Sequence, residues 1–66
     1  MKTRIPELRK ENKLSQAELA SIVGVTRQTI TSIETEKYVA SLPLAYKIAK
    51  YSNLKIEDVF DLEEDM

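Results

Sequence analysis

Apolar residues recur along most of the chain at spacings of three and four positions, which is the period of an amphipathic α-helix. Short polar stretches separate these segments, and they contain residue types that begin or end helices. The pattern predicts four helices followed by a shorter fifth one. The predicted bounds are residues 6–12, 16–23, 27–35, 42–52 and 56–59.

Start and stop signals support these bounds. Ser15 and Glu18 have the spacing of a capping box at the start of the second helix. Thr26 and Ser41 are of the residue types that cap helix N-termini, and they precede the third and fourth helices. Gly24, the only glycine of the chain, follows the second helix at the point where a left-handed backbone conformation ends many helices.

The second and third predicted helices have the pattern of a helix-turn-helix. Ala20 is small at the position where the two helices would cross, and Gly24 lets the chain reverse direction. The third helix then presents a polar face, and its first turn is free to enter the major groove of DNA. The crossing angle would be held by five apolar residues: Leu19, Val23, Val25, Ile30 and Ile33.

The two ends of the chain carry a weaker signal for β-structure. Residues 60–62 alternate apolar, polar and apolar, as a short strand does, and residues 2–4 could pair with them. We therefore expect an all-α fold of five helices, to which a small terminal β-ribbon could be added.

The composition narrows the class of protein. The chain has 66 residues and contains neither cysteine nor histidine. We expect one domain over residues 1–66, whose small core gives marginal stability without disulfides or zinc, so a homodimer is expected. The usual general base and the strongest nucleophile are also missing. We therefore expect no enzyme, and no metal, cofactor or small-molecule ligand.

Charge is divided unevenly along the chain. Residues 1–37 carry seven Lys or Arg against five Glu, whereas residues 38–66 carry three Lys against six Asp or Glu. The acidic end is expected to face away from any phosphate backbone. The first 13 residues are too charged for a signal peptide, and no segment approaches the roughly 20 apolar residues of a membrane span. We expect a cytoplasmic protein that does not bind membranes.

Four segments of the sequence resemble, in this order, the phage-repressor and Cro type of helix-turn-helix protein, which is known as the XRE family. The segments are LSQAELA at 14–20, GVTRQTI at 24–30, IE at 33–34 and LPLAYKIA at 42–49. The resemblance spans residues 5–60 and is strongest to very short solitary repressors. It implies a lambda-repressor-like domain of bacterial or phage origin that binds double-stranded operator DNA.

The resemblance also implies roles for individual residues. Arg27 suits a bidentate contact to guanine and Gln28 one to adenine, although Arg27 could contact a phosphate instead. Tyr38 could contact the DNA backbone or pack over the connection after the third helix. The full set of base-contacting positions is Thr26, Arg27, Gln28, Thr31 and Ser32. The phosphate-contacting positions are Gln16, Thr29, Lys37 and Tyr38.

One further pair has a structural role in the family. Arg9 and Glu34 match an ion pair that joins the first helix to the end of the third, and such a pair would hold the recognition helix without touching DNA. Two positions depart from the family pattern. Val39-Ala40 stands where a pair such as Asn-Pro is common, and Lys55 occupies a cap position that is usually Ser or Thr.

The leading hypothesis is a transcriptional repressor that binds a palindromic operator as a homodimer, with its two recognition helices about 34 Å apart. An alternative is an antitoxin-like DNA-binding protein that also binds a partner protein through its acidic C-terminal part, and a third is a protein-interaction module without DNA binding. Some residues expected at the dimer interface, Phe60 above all, could instead complete the monomer core. The expected interface residues are Leu44, Tyr51, Val59, Phe60 and Leu62.

Overall fold

A computed structural model of the protein describes residues 2–61. Five helices and a two-stranded sheet are present, as the pattern predicts. Helix α1 begins one residue earlier than predicted, and α1, α3 and α4 each end one residue earlier. The elements are β1 (Lys2–Thr3), α1 (Ile5–Glu11), α2 (Gln16–Val23), α3 (Arg27–Glu34), α4 (Leu42–Tyr51), α5 (Ile56–Val59) and β2 (Phe60–Asp61).

Side-chain hydrogen bonds cap the N-termini of α2, α3 and α4. The hydroxyl of Ser15 accepts the backbone N–H of Glu18 at 3.0 Å, and the Glu18 carboxylate accepts the N–H of Ser15 at 2.9 Å. The backbone N–H of Ser15, and to a lesser extent its side chain, hydrogen-bond to the Glu18 carboxylate and lower the pKa of Glu18, because they favour its charged form. Lys55 has no side-chain oxygen with which to cap α5, and there the carboxylate of Asp58 accepts the Lys55 N–H at 3.1 Å.

The four longer helices end in the same kind of turn. In each, one residue adopts a left-handed conformation and the next donates its N–H to a carbonyl five residues back, which satisfies a carbonyl that the helix leaves open. The left-handed residues are Lys13 (φ 56°), Gly24 (φ 78°), Glu36 (φ 64°) and Asn53 (φ 59°). The closing bonds run from Leu14 to Arg9 (2.8 Å), from Val25 to Ala20 (2.9 Å), from Lys37 to Ser32 (2.9 Å) and from Leu54 to Ala49 (2.9 Å).

The core lies among the helices and extends to the sheet. Strands β1 and β2 pair antiparallel, with Lys2 opposite Asp61 and Thr3 opposite Phe60. Phe60 is the largest fully buried side chain, so β2 closes the core as well as pairing with β1. The buried apolar residues are Ile5, Leu19, Ala20, Val23, Ile30, Ile33, Leu44, Ala45, Ile48, Ala49, Val59 and Phe60.

Three residues expected at a dimer interface are therefore covered by their own chain. Leu44 is 7% exposed, Val59 0% and Phe60 1%. Tyr51 is 43% exposed, and Leu62 lies outside the described residues. The dimer contact itself stays a prediction. No helix formed by residues 2–61 is long and apolar enough to span a membrane.

Candidate nucleic-acid interface

Helices α2 and α3 pack closely around a tight turn. Ala20 is 2% exposed where the helices meet, and its carbonyl accepts the N–H of Val25 across the turn. Gly24 supplies the left-handed residue between them. On the inner side of α3, Ile30 and Ile33 are fully buried. The polar residues of α3 consequently face outwards and are held by the core beneath them.

The first turn of α3 is capped and exposed. Thr26 accepts the N–H of Thr29 at 3.3 Å, and the two threonine hydroxyls lie 3.0 Å apart. Arg27 and Gln28 follow the cap and are exposed, and neither side chain has a hydrogen-bond partner among residues 2–61. A guanidinium and an amide therefore stand free at the N-terminal end of α3, where both can meet the edges of bases.

The connection after α3 forms a wall beside this turn. Tyr38 is 50% exposed, and together with α3 it lines a shallow groove of about 290 Å³. Lys37 is also exposed. The groove brings Tyr38 next to several of the residues expected to contact DNA, and its other lining residues are Thr26, Gln28, Thr29 and Ser32.

A hydrogen-bonded network joins α1, α2 and α3 behind this surface. The guanidinium of Arg9 donates twice to the Glu34 carboxylate, from Nε to Oε2 at 2.7 Å and from Nη2 to Oε1 at 3.1 Å. Its third donor, Nη1, bonds to the carbonyl of Leu14 at 3.1 Å. The two side chains are 19% and 7% exposed, so the pair is mostly withdrawn from water.

Gln16 belongs to the same network. Its Nε2 donates to Oε1 of Glu34 at 3.0 Å, and its Oε1 accepts the hydroxyl of Thr31 at 3.0 Å. Gln16 and Thr31 were expected to contact phosphate and base respectively, and the structure brings them into contact with each other. Sequence reasoning missed this contact, although Thr31 and Glu34 are three positions apart on α3 and so share a face.

The predicted site residues therefore fall into two groups. One group lies on or beside the exposed first turn of α3, and the other lies in the network beneath it. The first contains Thr26, Arg27, Gln28, Thr29, Ser32, Lys37 and Tyr38, and the second contains Arg9, Gln16, Thr31 and Glu34. Within residues 2–61, no cluster of three or more acidic side chains is arranged to hold a metal ion.

Comparison with known proteins agrees with this geometry. The helix-turn-helix family profile matches residues 5–59. An uncharacterized HTH-type transcriptional regulator of Archaeoglobus fulgidus is 52% identical over 65 residues, which cover 98% of this chain and 92% of the relative. Another from Bacillus subtilis is 52% identical over 65 residues, covering 98% of each chain.

A solved structure shares the fold. The chain matches part of a SinR protein/SinI protein complex with a TM-score of 0.79 and 27% sequence identity. The match covers 94% of this chain and 61% of that one.

The fold and the exposed α3 define a DNA-binding helix-turn-helix protein of the lambda-repressor-like class. The chain belongs to the helix-turn-helix family of XRE/Cro type, whose members are transcriptional regulators rather than enzymes. Its relatives come from archaea as well as bacteria.

Proposed function

We propose that the chain is a cytoplasmic transcriptional repressor that binds a palindromic operator as a homodimer. The observation that carries the proposal is the capped first turn of α3, on which Arg27 and Gln28 are exposed and have no partner among residues 2–61. The chain also resembles the cytolysin-operon repressor of enterococci in length and in the segment 27–30.

Base readout is assigned to the exposed turn. Arg27 donates two hydrogen bonds to a guanine, and Gln28 makes a bidentate contact to an adenine. The Thr26 hydroxyl is used by the cap, so Thr26 contributes its methyl group, which suits a thymine methyl. Ser32 lies farther along the same groove and reads a neighbouring position.

Backbone contacts are assigned to residues around that turn. Lys37 supplies a positive charge, while Tyr38 and Thr29 supply neutral hydroxyls along the groove wall. Gln16 is the first residue of α2, where its amide and the helix N-terminal N–H groups can meet one phosphate. These contacts fix the register of the protein on DNA without reading its sequence.

The homodimer is supported by the small core and by apolar side chains that their own chain leaves uncovered. Tyr51 was also expected at the interface, but it lies about half a turn around α4 from Leu42, beside α1, and is not part of the contact assigned here. Leu42 and Tyr46, one turn apart on α4, are 72% and 53% exposed, and Val39 just before α4 is 60% exposed. We assign the contact with a second copy to this outer face of α4. The face adjoins the connection that carries Tyr38, so a two-fold contact there keeps both recognition helices available to one duplex.

DNA binding is tested by selecting duplexes from a random library and measuring affinity by fluorescence anisotropy at two salt concentrations. We expect the selected sequence to be palindromic and to bind at least about 10³-fold more tightly than a scrambled duplex. Arg27→Ala should lose about 1–3 kcal/mol and relax preference at one base position, whereas Lys37→Ala should weaken all duplexes alike. Equal losses on selected and scrambled DNA for Arg27→Ala would refute its role in base readout.

The dimer is tested by sedimentation. Leu42→Glu places a charge in the proposed contact and should produce monomers, whereas Ile22→Glu changes another exposed apolar side chain (47% exposed) on α2 and should leave the dimer intact. A monomeric wild type, or a Leu42→Glu dimer as tight as the wild type, contradicts the assignment.

A second candidate function adds a protein partner. The matched solved structure is a complex of SinR with another protein, and acidic residues are frequent in residues 57–65 of this chain. In this antitoxin-like alternative the acidic C-terminal part binds the partner. Removal of residues 62–66 would then abolish partner binding in a pull-down from the source cell and leave DNA binding unchanged.

A further inference from the structure

We propose that Thr31 and Glu34 are positioning residues for Gln16, and that they fix its side-chain amide in the orientation that meets a DNA phosphate. The inference rests on the proposed DNA-binding function and replaces the expected base contact of Thr31 with an indirect role. It assigns one sequence-independent contact, that of Gln16, to a network that lies mostly behind the DNA-facing surface.

The amide of Gln16 is held at both of its polar atoms. Its oxygen accepts the Thr31 hydroxyl and its nitrogen donates to Glu34, each at 3.0 Å. The reverse orientation would place the amide oxygen against the Glu34 carboxylate, which accepts hydrogen bonds but cannot donate when ionised. One orientation of the amide is therefore selected. The second hydrogen on Nε2 has no acceptor among residues 2–61 and is available to a phosphate.

A carboxylate near a phosphate site would ordinarily repel the ligand. Here Arg9 donates to both oxygens of Glu34, and the carboxylate side chain is only 7% exposed. The ion pair cancels the negative charge locally while leaving Oε1 able to accept from Gln16 as well. Arg9 thus allows an acidic side chain to orient a phosphate-binding amide without opposing the phosphate.

Thr31 is poorly placed to read a base. Its hydroxyl points towards two acceptors, the amide oxygen of Gln16 at 3.0 Å and the backbone carbonyl of Arg27 at 3.1 Å. A hydroxyl has one hydrogen to donate, and both acceptors belong to the protein. The side chain is also half-buried, unlike those of Arg27 and Gln28. Thr31 therefore contributes to DNA binding by orienting Gln16 and not by contacting a base.

Without the Thr31 hydroxyl, the Gln16 amide would regain rotational freedom in the free protein, and DNA binding would have to immobilise it again. Immobilising one flexible side chain at an interface weakens association by about 2- to 12-fold. Thr31→Val keeps the shape of the side chain and removes the hydroxyl, so it should weaken each half-site by a factor in this range. The loss should be the same on selected and scrambled duplexes, because phosphates carry no sequence information.

The experiment compares Thr31→Val, Thr31→Ser and Gln16→Ala with the double variant that carries both Gln16→Ala and Thr31→Val. Thr31→Ser retains the hydroxyl and should bind as the wild type does. In the Gln16→Ala background, Thr31→Val should cause no further loss of affinity. Thr35→Val is the matched control, since Thr35 directly follows the last residue of α3 and its hydroxyl bonds only to backbone carbonyls. A Thr31→Val loss that is confined to the selected duplex, or that persists without Gln16, would overturn the proposal.

A measurement on the free protein separates this inference from the proposed function. Side-chain ¹⁵N relaxation of Gln16 should report an ordered amide in the wild type and in Thr35→Val, and a mobile amide in Thr31→Val. An equally ordered amide in Thr31→Val would overturn the positioning role even if the protein binds DNA. An amide that loses its order, in a protein that binds no duplex, would overturn the proposed function and uphold the positioning geometry.

Discussion

Replacing Glu34 with alanine removes one carboxylate on which three donors converge. Arg9 donates to it at 2.7 and 3.1 Å, and Gln16 donates at 3.0 Å. In Glu34→Ala the guanidinium keeps its bond to the Leu14 carbonyl but loses its counter-charge. Because only 19% of the Arg9 side chain is exposed, water can replace the lost carboxylate only in part.

The free energy of unfolding that Glu34→Ala loses lies between two limits. An exposed ion pair contributes about 0.2–1 kcal/mol, whereas removing one partner of a buried pair costs about 3–5 kcal/mol. The burial of Arg9 and Glu34 places this pair nearer the second limit, and the remaining bond to Leu14 moderates the loss. We expect Glu34→Ala to lower the free energy of unfolding by about 2–3 kcal/mol. In a domain of this size that corresponds to a fall in Tm of about 8–24 °C.

Thermal and urea unfolding followed by circular dichroism measure this change. Glu11→Ala is the matched control, because Glu11 is an exposed residue at the end of α1 and its side chain has no hydrogen-bond partner among residues 2–61. The combined Arg9→Met and Glu34→Met variant should recover most of the stability, since it leaves no unpaired charge. If the free energies of unfolding of Glu34→Ala and Glu11→Ala agree within about 0.5 kcal/mol, the ion pair does not stabilise the fold.

Three further predictions concern the turn, the sheet and the cap. Gly24→Ala should lower the free energy of unfolding by about 1–2 kcal/mol, because alanine is strained at a φ of 78° although no atom lies within 4 Å of the added Cβ. Gly24→Asn should lower it less in the same unfolding measurement. Phe60→Ala should cost about 3–5 kcal/mol in urea unfolding, and an effect confined to sedimentation would place Phe60 at an interface. Ser15→Ala should raise the pKa of Glu18 part of the way towards its ordinary value in an NMR titration, because alanine keeps the backbone hydrogen bond and removes that of the side chain. Since the folded pKa of Glu18 is depressed, its stabilising contribution is present above the unfolded pKa and is lost as the pH falls through the folded one, so the wild type should lose more stability in acid than Ser15→Ala does.

The beginnings of the helices could be predicted from the sequence because their signals are local. Ser15, Thr26 and Ser41 are of residue types that cap nearby backbone groups, and in the structure each accepts the N–H of the residue three positions on. The ends of the helices were harder to predict, because only Gly24 and Asn53 are of residue types that favour the left-handed turn. Lys13 and Glu36 adopt the same conformation, and nothing in their side chains indicates it.

The pattern of apolar and polar residues alone could not distinguish residues of the monomer core from residues of a dimer interface. Phe60 and Leu44 are apolar at positions that suit either use, and burial by the same chain or by a partner produces the same alternation. The candidate nucleic-acid interface could likewise be predicted only in part from the sequence. The face of α3 that carries Arg27 and Gln28 follows from helical spacing, whereas the contact between Gln16 and Thr31 depends on how α2 crosses α3.

The left-handed helix ends have a consequence for how this protein can change over time. A residue with a Cβ is disfavoured in that conformation by about 1–2 kcal/mol relative to glycine, so Lys13→Gly and Glu36→Gly would each relieve strain, partly offset by greater freedom in the unfolded chain. Lys13 is not among the residues that the proposed function assigns to DNA contact. Under the proposed function, a substitution in α3 that alters which base is read and weakens the fold could thus be compensated at the end of α1. New base preferences could then arise in this chain while its stability is restored elsewhere.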